Sequence, residues 1–199
     1  MRRSRTRKGR LIQEWDFSLA EKVILVTGMP GAGKDEFIGV AIEEGFTDFH
    51  MGNVVRKHFE LTGQSMNDSS VGKFASSERN TRGMDIWARR TMEELRDSPR
   101  CVIEGLRNYE ELESFKKSFS NSVLIGVFAN REERFSRILN RRRKDDATDI
   151  NGLMARDERE LSWGIGKLIA LSDYMVINDS DLDSFRDRSR KAIQKVLYH

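Results

Sequence analysis

Residues 22–27 read KVILVT and run without a break into GMPGAGKD at 28–35. A continuous apolar run bounded by glycine is the pattern of a strand covered on both faces, as in a parallel sheet. The eight residues after it match the spacing GxxxxGK and lead into a stretch of helical character. Glycines at these positions let the chain turn tightly round an anion so that several backbone N–H groups converge on it, and the positive end of the next helix adds to the attraction. Gly28, Met29, Pro30, Gly31, Ala32, Gly33, Lys34 and Asp35 are therefore the expected phosphate cradle. Lys34 is placed to neutralise the outer phosphates of a nucleoside triphosphate, ATP in the simplest reading.

One residue departs from the motif. The position after the lysine ordinarily carries Ser or Thr, whose hydroxyl binds magnesium; here it is Asp35. A carboxylate is a good ligand for a hard cation, so Asp35 can bind Mg²⁺ directly or through water, at the cost of a negative charge beside phosphates. A second acid ends the apolar run CVIE at 101–104. Ligands of open α/β folds collect at the carboxyl ends of strands, which makes Glu104 the second candidate magnesium residue; a salt-bridge partner is the competing reading.

The rest of the chain alternates strand-like and helix-like segments. A helix is expected over about 34–44, a strand near 46–51, then helical pattern from 54 to 95 interrupted by a polar stretch at 63–72 that reads as a flap. Strands follow at 101–103 and 122–129, a basic helix at 131–144, a polar turn at 145–149, a helix to about 171, a strand at 174–177 and a closing helix at 182–198. Gly164 and Gly166 read as places of close helix packing, and Trp15, Trp87 and Trp163 as core or hinge anchors.

Composition removes several function classes. No stretch has the roughly 18 to 20 apolar residues needed to cross a bilayer, and the single cysteine, Cys101, lies in an apolar run, which together point to the cytoplasm. His50, His58 and His199 lack metal-ligand spacing, and neither GxSxG nor HExxH occurs, so serine and zinc hydrolase chemistry finds no support. The net charge of +3 arises in the first ten residues, where Arg2, Arg3, Arg5, Arg7, Lys8 and Arg10 meet no acid. Without them the chain is net acidic; residues 1–14 read as a flexible basic arm capable of weak nucleic-acid contact.

Four segments resemble nucleoside monophosphate kinases, particularly the archaeal adenylate-kinase-related proteins that share features with dephospho-CoA kinases. They are GMPGAGKD, MGNVVR at 51–56, IEGLRNYEELESF at 103–115 and RDERELSWGIGKLIALSDYMVIND at 156–179. The resemblance implies a P-loop NTPase three-layer fold with a five-stranded parallel sheet, one kinase domain over 15–199, an acceptor flap at about 53–97 and a short lid at about 131–157. By the same resemblance Arg56 grips the acceptor phosphate, although Asn53 stands where the family has an acid, and Arg107 is a second acceptor arginine or an ordinary salt-bridge partner. Arg134, Arg137 and Arg141 share one helical face, with Arg143 close by. In related kinases such a lid closes arginines over the transferring group; a solvated charged face is the alternative. Asn178 either contacts the adenine edge or makes a turn. The expected reaction is ATP plus a monophosphate acceptor. Dephospho-CoA kinases resemble one another in an acidic pair after the second strand, where this chain has His50, Met51 and Gly52, with Asp48 or Asp35 the nearby carboxylates that could serve instead. A nucleotide-dependent switch acting on RNA is the reading from another class.

Overall fold

The computed structural model describes residues 22–65, 68–95, 99–141 and 149–198. The basic arm, Trp15, Arg143, the acidic turn at 145–148 and His199 lie outside them. In chain order the elements are β1 (Lys22–Thr27), α1 (Lys34–Glu43), β2 (Thr47–His50), α2 (Met51–Glu60), α3 (Asp68–Arg82), α4 (Ile86–Glu94) and β3 (Arg100–Glu104). Then come α5 (Tyr109–Ser118), β4 (Ser122–Phe128), α6 (Arg131–Arg141), α7 (Ile150–Trp163), α8 (Ile165–Ala170), β5 (Tyr174–Ile177) and α9 (Leu182–Tyr198).

The five strands form one sheet in the order β2-β3-β1-β4-β5, and every pairing is parallel. Parallel strands need crossover helices, and these cover both faces. That coverage accounts for the unbroken apolar run of β1. Val23 and Leu25 enter a core with Trp87, Phe115 and Leu168, whereas Ile24 and Val26 enter the opposite core with Phe37, Phe185 and Ile193. Because β1 is flanked by β3 on one side and β4 on the other, the chain leaves it at the topological switch point, and a crevice opens at the carboxyl ends of those strands.

The bounds of β5 and α9 coincide with the sequence reading. Two segments differ from it. The stretch 63–72 is not an irregular flap throughout: α3 begins at Asp68, and Val71, Phe74 and Ala75 pack on the core beside Trp87. The long helix expected to reach about 171 is broken at Gly164, whose φ of 105° ends α7 and opens α8. A left-handed residue cannot continue a right-handed helix, so this glycine is a terminator and not a packing site. No helix among the described residues is long and apolar enough to cross a membrane.

Candidate active site

The loop between β1 and α1 takes its shape from three glycines in the left-handed region: Gly28 at φ 151°, Gly31 at 78° and Gly33 at 106°. Each is also enclosed. A β-carbon would lie 2.3 Å from the Val127 carbonyl oxygen at Gly28, 2.7 Å from that of Arg134 at Gly31, and 2.2 Å from Asn178 Nδ2 at Gly33. The turn is therefore specified twice, by backbone angle and by the walls round it. Lys34 arches back over the loop and donates from Nζ to the carbonyls of Gly28 at 2.9 Å and Met29 at 3.4 Å.

Lys34, Glu104 and Arg107, far apart in sequence, meet at the strand ends as one electrostatic cluster. Burial pushes the Lys34 ammonium below its ordinary range; Glu104 opposes that, Arg107 adds to it, and Glu160 and Asp35 oppose it. Burial works against the charge of Glu104, yet the imidazole of His50 facing it and the charges of Lys34 and Arg107 hold its carboxyl at about 2. Burial likewise opposes the charge of Arg107, but Glu160, Glu104 and Glu111 carry its basicity above the ordinary value.

The fit of magnesium rests on Glu104. Its Oε2 is buried and has no hydrogen-bond partner, while Oε1 faces His50 Nδ1 at 3.7 Å. An ionised carboxylate oxygen without a partner, beside the phosphate cradle, suits a hard cation or its water shell. Asp35, in the first turn of α1 and about half exposed, is the other carboxylate at hand. No group of three or more metal-binding side chains occurs among the described residues.

The depressed pKa sets a pH dependence. A carboxyl held near 2 against an ordinary 4.5 contributes stability that is present above about pH 4.5 and is lost as pH falls through about 2. Urea unfolding of Glu104→Gln alongside the parent is expected to show a stability gap at neutral pH that closes over that acid window. A gap constant with pH would mean that Glu104 is not ionised in the folded chain.

Arg134, Arg137 and Arg141, three of the four arginines of α6, take different partners. Arg134 is 5% exposed and pairs with the buried Asp157 through Nη1 at 2.9 Å and Nη2 at 2.6 Å, with Nη1 also donating to the Pro30 carbonyl at 2.9 Å. Its guanidinium is spent on holding α6, α7 and the loop together, where the sequence reading placed it over the phosphates. Arg137 donates from Nη2 to Asn178 O at 3.0 Å and Oδ1 at 3.3 Å, leaving Nη1 buried without a hydrogen-bond partner. Arg141 Nη1 stands 3.9 Å from Asp35 Oδ2. Asn178 is buried and donates from Nδ2 to the Ala32 carbonyl at 2.9 Å. It is a latch between β5 and the loop, a role that neither the adenine contact nor the simple turn anticipated.

Beside this cluster lies a cleft of ≈ 130 Å³ between α2, α3, α7 and the end of β3. Arg56 lines it and donates to Asn53 Oδ1 at 2.7 Å, so the residue standing in for the family's acid still orients the arginine. Arg107 lines it too, with Nε 2.5 Å from Glu160 Oε2. Arg79, Arg156, Arg159, Glu160 and Trp163 complete the charged and aromatic part of the wall. Of these five only Trp163 was singled out from sequence, as a core or hinge anchor and not as part of a site. A signal existed, since Arg156, Arg159 or Glu160, and Trp163 recur at helical spacing and share one face of α7.

Comparison with known proteins places this arrangement. A family model described as an AAA domain matches residues 24–161. The UPF0200 protein Ta0179 of Thermoplasma acidophilum is 54% identical over 171 residues, 86% of this chain and 94% of its own length. A UPF0200 protein of Methanosarcina mazei is 40% identical over 179 residues, covering 88% and 96%. In fold, the chain is similar to TT1252 from Thermus thermophilus, at a TM-score of 0.62 and 18% identity over 89% of this chain and 98% of that one. A shikimate kinase from Bacteroides thetaiotaomicron gives a TM-score of 0.60 at 16% identity, again covering 89% and 98%. With its phosphate loop, its five-stranded parallel sheet and these relatives, the chain belongs to the AAA-domain family and stands in it beside the archaeal UPF0200 proteins.

Proposed function

We propose that this protein transfers the γ-phosphoryl group of ATP to a small anionic acceptor, in the finer reading a nucleoside monophosphate. One observation carries the proposal: the ammonium of Lys34 and the carboxylate of Glu104 share their surroundings with Arg107, which also lines the arginine-rich cleft next door. Phosphoryl transfer needs positioning and charge neutralisation more than covalent help. In this reading the loop at 28–35 cradles the triphosphate, Lys34 neutralises its outer oxygens, and Arg56 and Arg107 orient the acceptor. Asp35 and Glu104 are the residues that would hold Mg²⁺, which when bound neutralises charge on the transferring phosphates. Arg141 stands by Asp35, Arg137 holds Asn178, and Arg134 supports the Pro30 carbonyl of the loop. A monophosphate acceptor is already an anionic nucleophile, so no general base is required.

A hydroxyl acceptor, as in dephospho-CoA-kinase-like chemistry, is the second reading, because Asp48 Oδ2 lies 3.0 Å from His50 Nε2 at the end of β2. In that reading Asp48 would receive the hydroxyl proton, with Asp35 the other carboxylate at hand.

Incubating the full chain with Mg²⁺ and γ-labelled ATP against a panel of nucleoside monophosphates and dephospho-CoA tests both. Label is expected on a monophosphate, and Arg56→Ala should raise the acceptor KM about tenfold with the ATP KM unchanged. Label found only on dephospho-CoA would select the second reading; label released only to water would defeat the kinase proposal.

A further inference from the structure

The cleft is more basic than the handling of one transferring group requires. Among the described residues five guanidinium groups line it, from Arg56, Arg79, Arg107, Arg156 and Arg159, together with the carboxylate of Glu160. Arg79 is the most enclosed of them, 4% exposed on α3. Its Nε and Nη2 donate to Glu111 Oε1 at 3.1 and 2.8 Å, and its Nη1 has no hydrogen-bond partner. Glu111 is itself fully buried, and its other oxygen accepts the Arg107 backbone N–H at 2.7 Å. One carboxylate thereby fixes both Arg79 and the loop that bears Arg107.

Across the cleft, Trp163 on α7 is anchored to α3, donating from Nε1 to Ser76 Oγ at 3.0 Å. Its ring lies 5.0 Å from the Arg79 guanidinium carbon and 5.7 Å from that of Arg159. Two guanidinium groups from different helices are thus braced on one indole. Bracing of this kind removes rotamer freedom before a ligand arrives, which lowers the entropic cost of gripping an anion. The cleft, at ≈ 130 Å³, is smaller than the roughly 300 Å³ at which pockets for drug-sized ligands begin, so it receives the compact end of a molecule.

We infer that Arg79 and Arg159, positioned by Glu111 and Trp163, form an oxyanion subsite that grips a carboxylate or phosphate group of the acceptor. These are specificity residues, separate from the Arg56 and Arg107 pair. The inference rests on the cleft's being the acceptor site, and it names the acceptor as a compact, oxyanion-bearing molecule.

The test is calorimetric titration of the full chain, preloaded with Mg²⁺ and a non-hydrolysable ATP analogue so that the phosphate loop is filled. Inorganic phosphate is the probe in one arm and malonate in the other, and the tighter arm tells phosphate from carboxylate. Arg79→Lys, which keeps a cation for the buried Glu111, and Arg159→Gln, at a half-exposed site, are each expected to weaken the preferred probe at least about tenfold while the analogue binds as before. Should Arg79→Lys fail to fold, Arg159→Gln carries the test. Equal affinity in parent and variants, or no uptake of either probe, overturns the subsite. Failure of the analogue to bind during preloading counts instead against the kinase proposal, and the same comparison of parent with Arg159→Gln without the analogue then judges the subsite on its own.

Discussion

Replacing Lys34 by alanine is expected to lower the rate of phosphoryl transfer about a thousandfold, equivalent to about 4 kcal/mol of transition-state stabilisation. The size follows from where the ammonium sits. It is half-buried at the mouth of the loop, held on the carbonyls of Gly28 and Met29, and its charge is sustained there by Glu104 although burial disfavours it. A cation fixed in a partly desolvated place acts on developing charge without having to reorganise, which is what makes such groups effective. The affinity for an ATP analogue should fall far less than kcat, because the loop amides still hold the ground-state phosphates. Single-turnover rates with the acceptor identified by the labelled-ATP screen check this; a loss of under tenfold would show that Lys34 does not face the reacting phosphate.

The second large effect is on stability. Asp157→Ala is expected to destabilise the fold by about 3–5 kcal/mol, measured by urea unfolding, because it leaves the Arg134 guanidinium buried without its carboxylate. Arg134 and Asp157 are 5% and 2% exposed as side chains, and Arg134 also supports the Pro30 carbonyl of the phosphate loop. Removing Lys57 from its 2.7 Å pair with Glu94 serves as the control, since Lys57 is 65% exposed and solvent replaces what is lost. That change should stay below about 1 kcal/mol. An Asp157→Ala effect as small as the control's would mean that Arg134 finds water or another partner. It would then be free for the phosphate-facing role that its place on the α6 face suggested.

How far the chain could be read before folding depends on how local each feature is. The loop at 28–35 and the bounds of β5 and α9 rest on neighbouring residues, through glycine spacing, apolar periodicity and turn chemistry, and they were legible. The helix break at Gly164 was not, because glycine within a helical pattern does not declare its φ. Nor was the flap boundary: Asp68 to Gly72 is polar, yet Val71 turns inward from it onto the core.

The arginines mark the limit. In sequence Arg134, Arg137 and Arg141 are equivalent members of one stripe, and Arg79 is unremarked in a polar helix. In the folded chain Arg134 belongs to Asp157, 23 positions away, and Arg79 to Glu111, 32 positions away. Linear order carried the loop at 28–35 complete, because its shape is built from consecutive residues. Which guanidinium braces the protein and which lines the cleft was left to the path of the chain, since a charged group takes its role from the opposite charge that folding brings within reach.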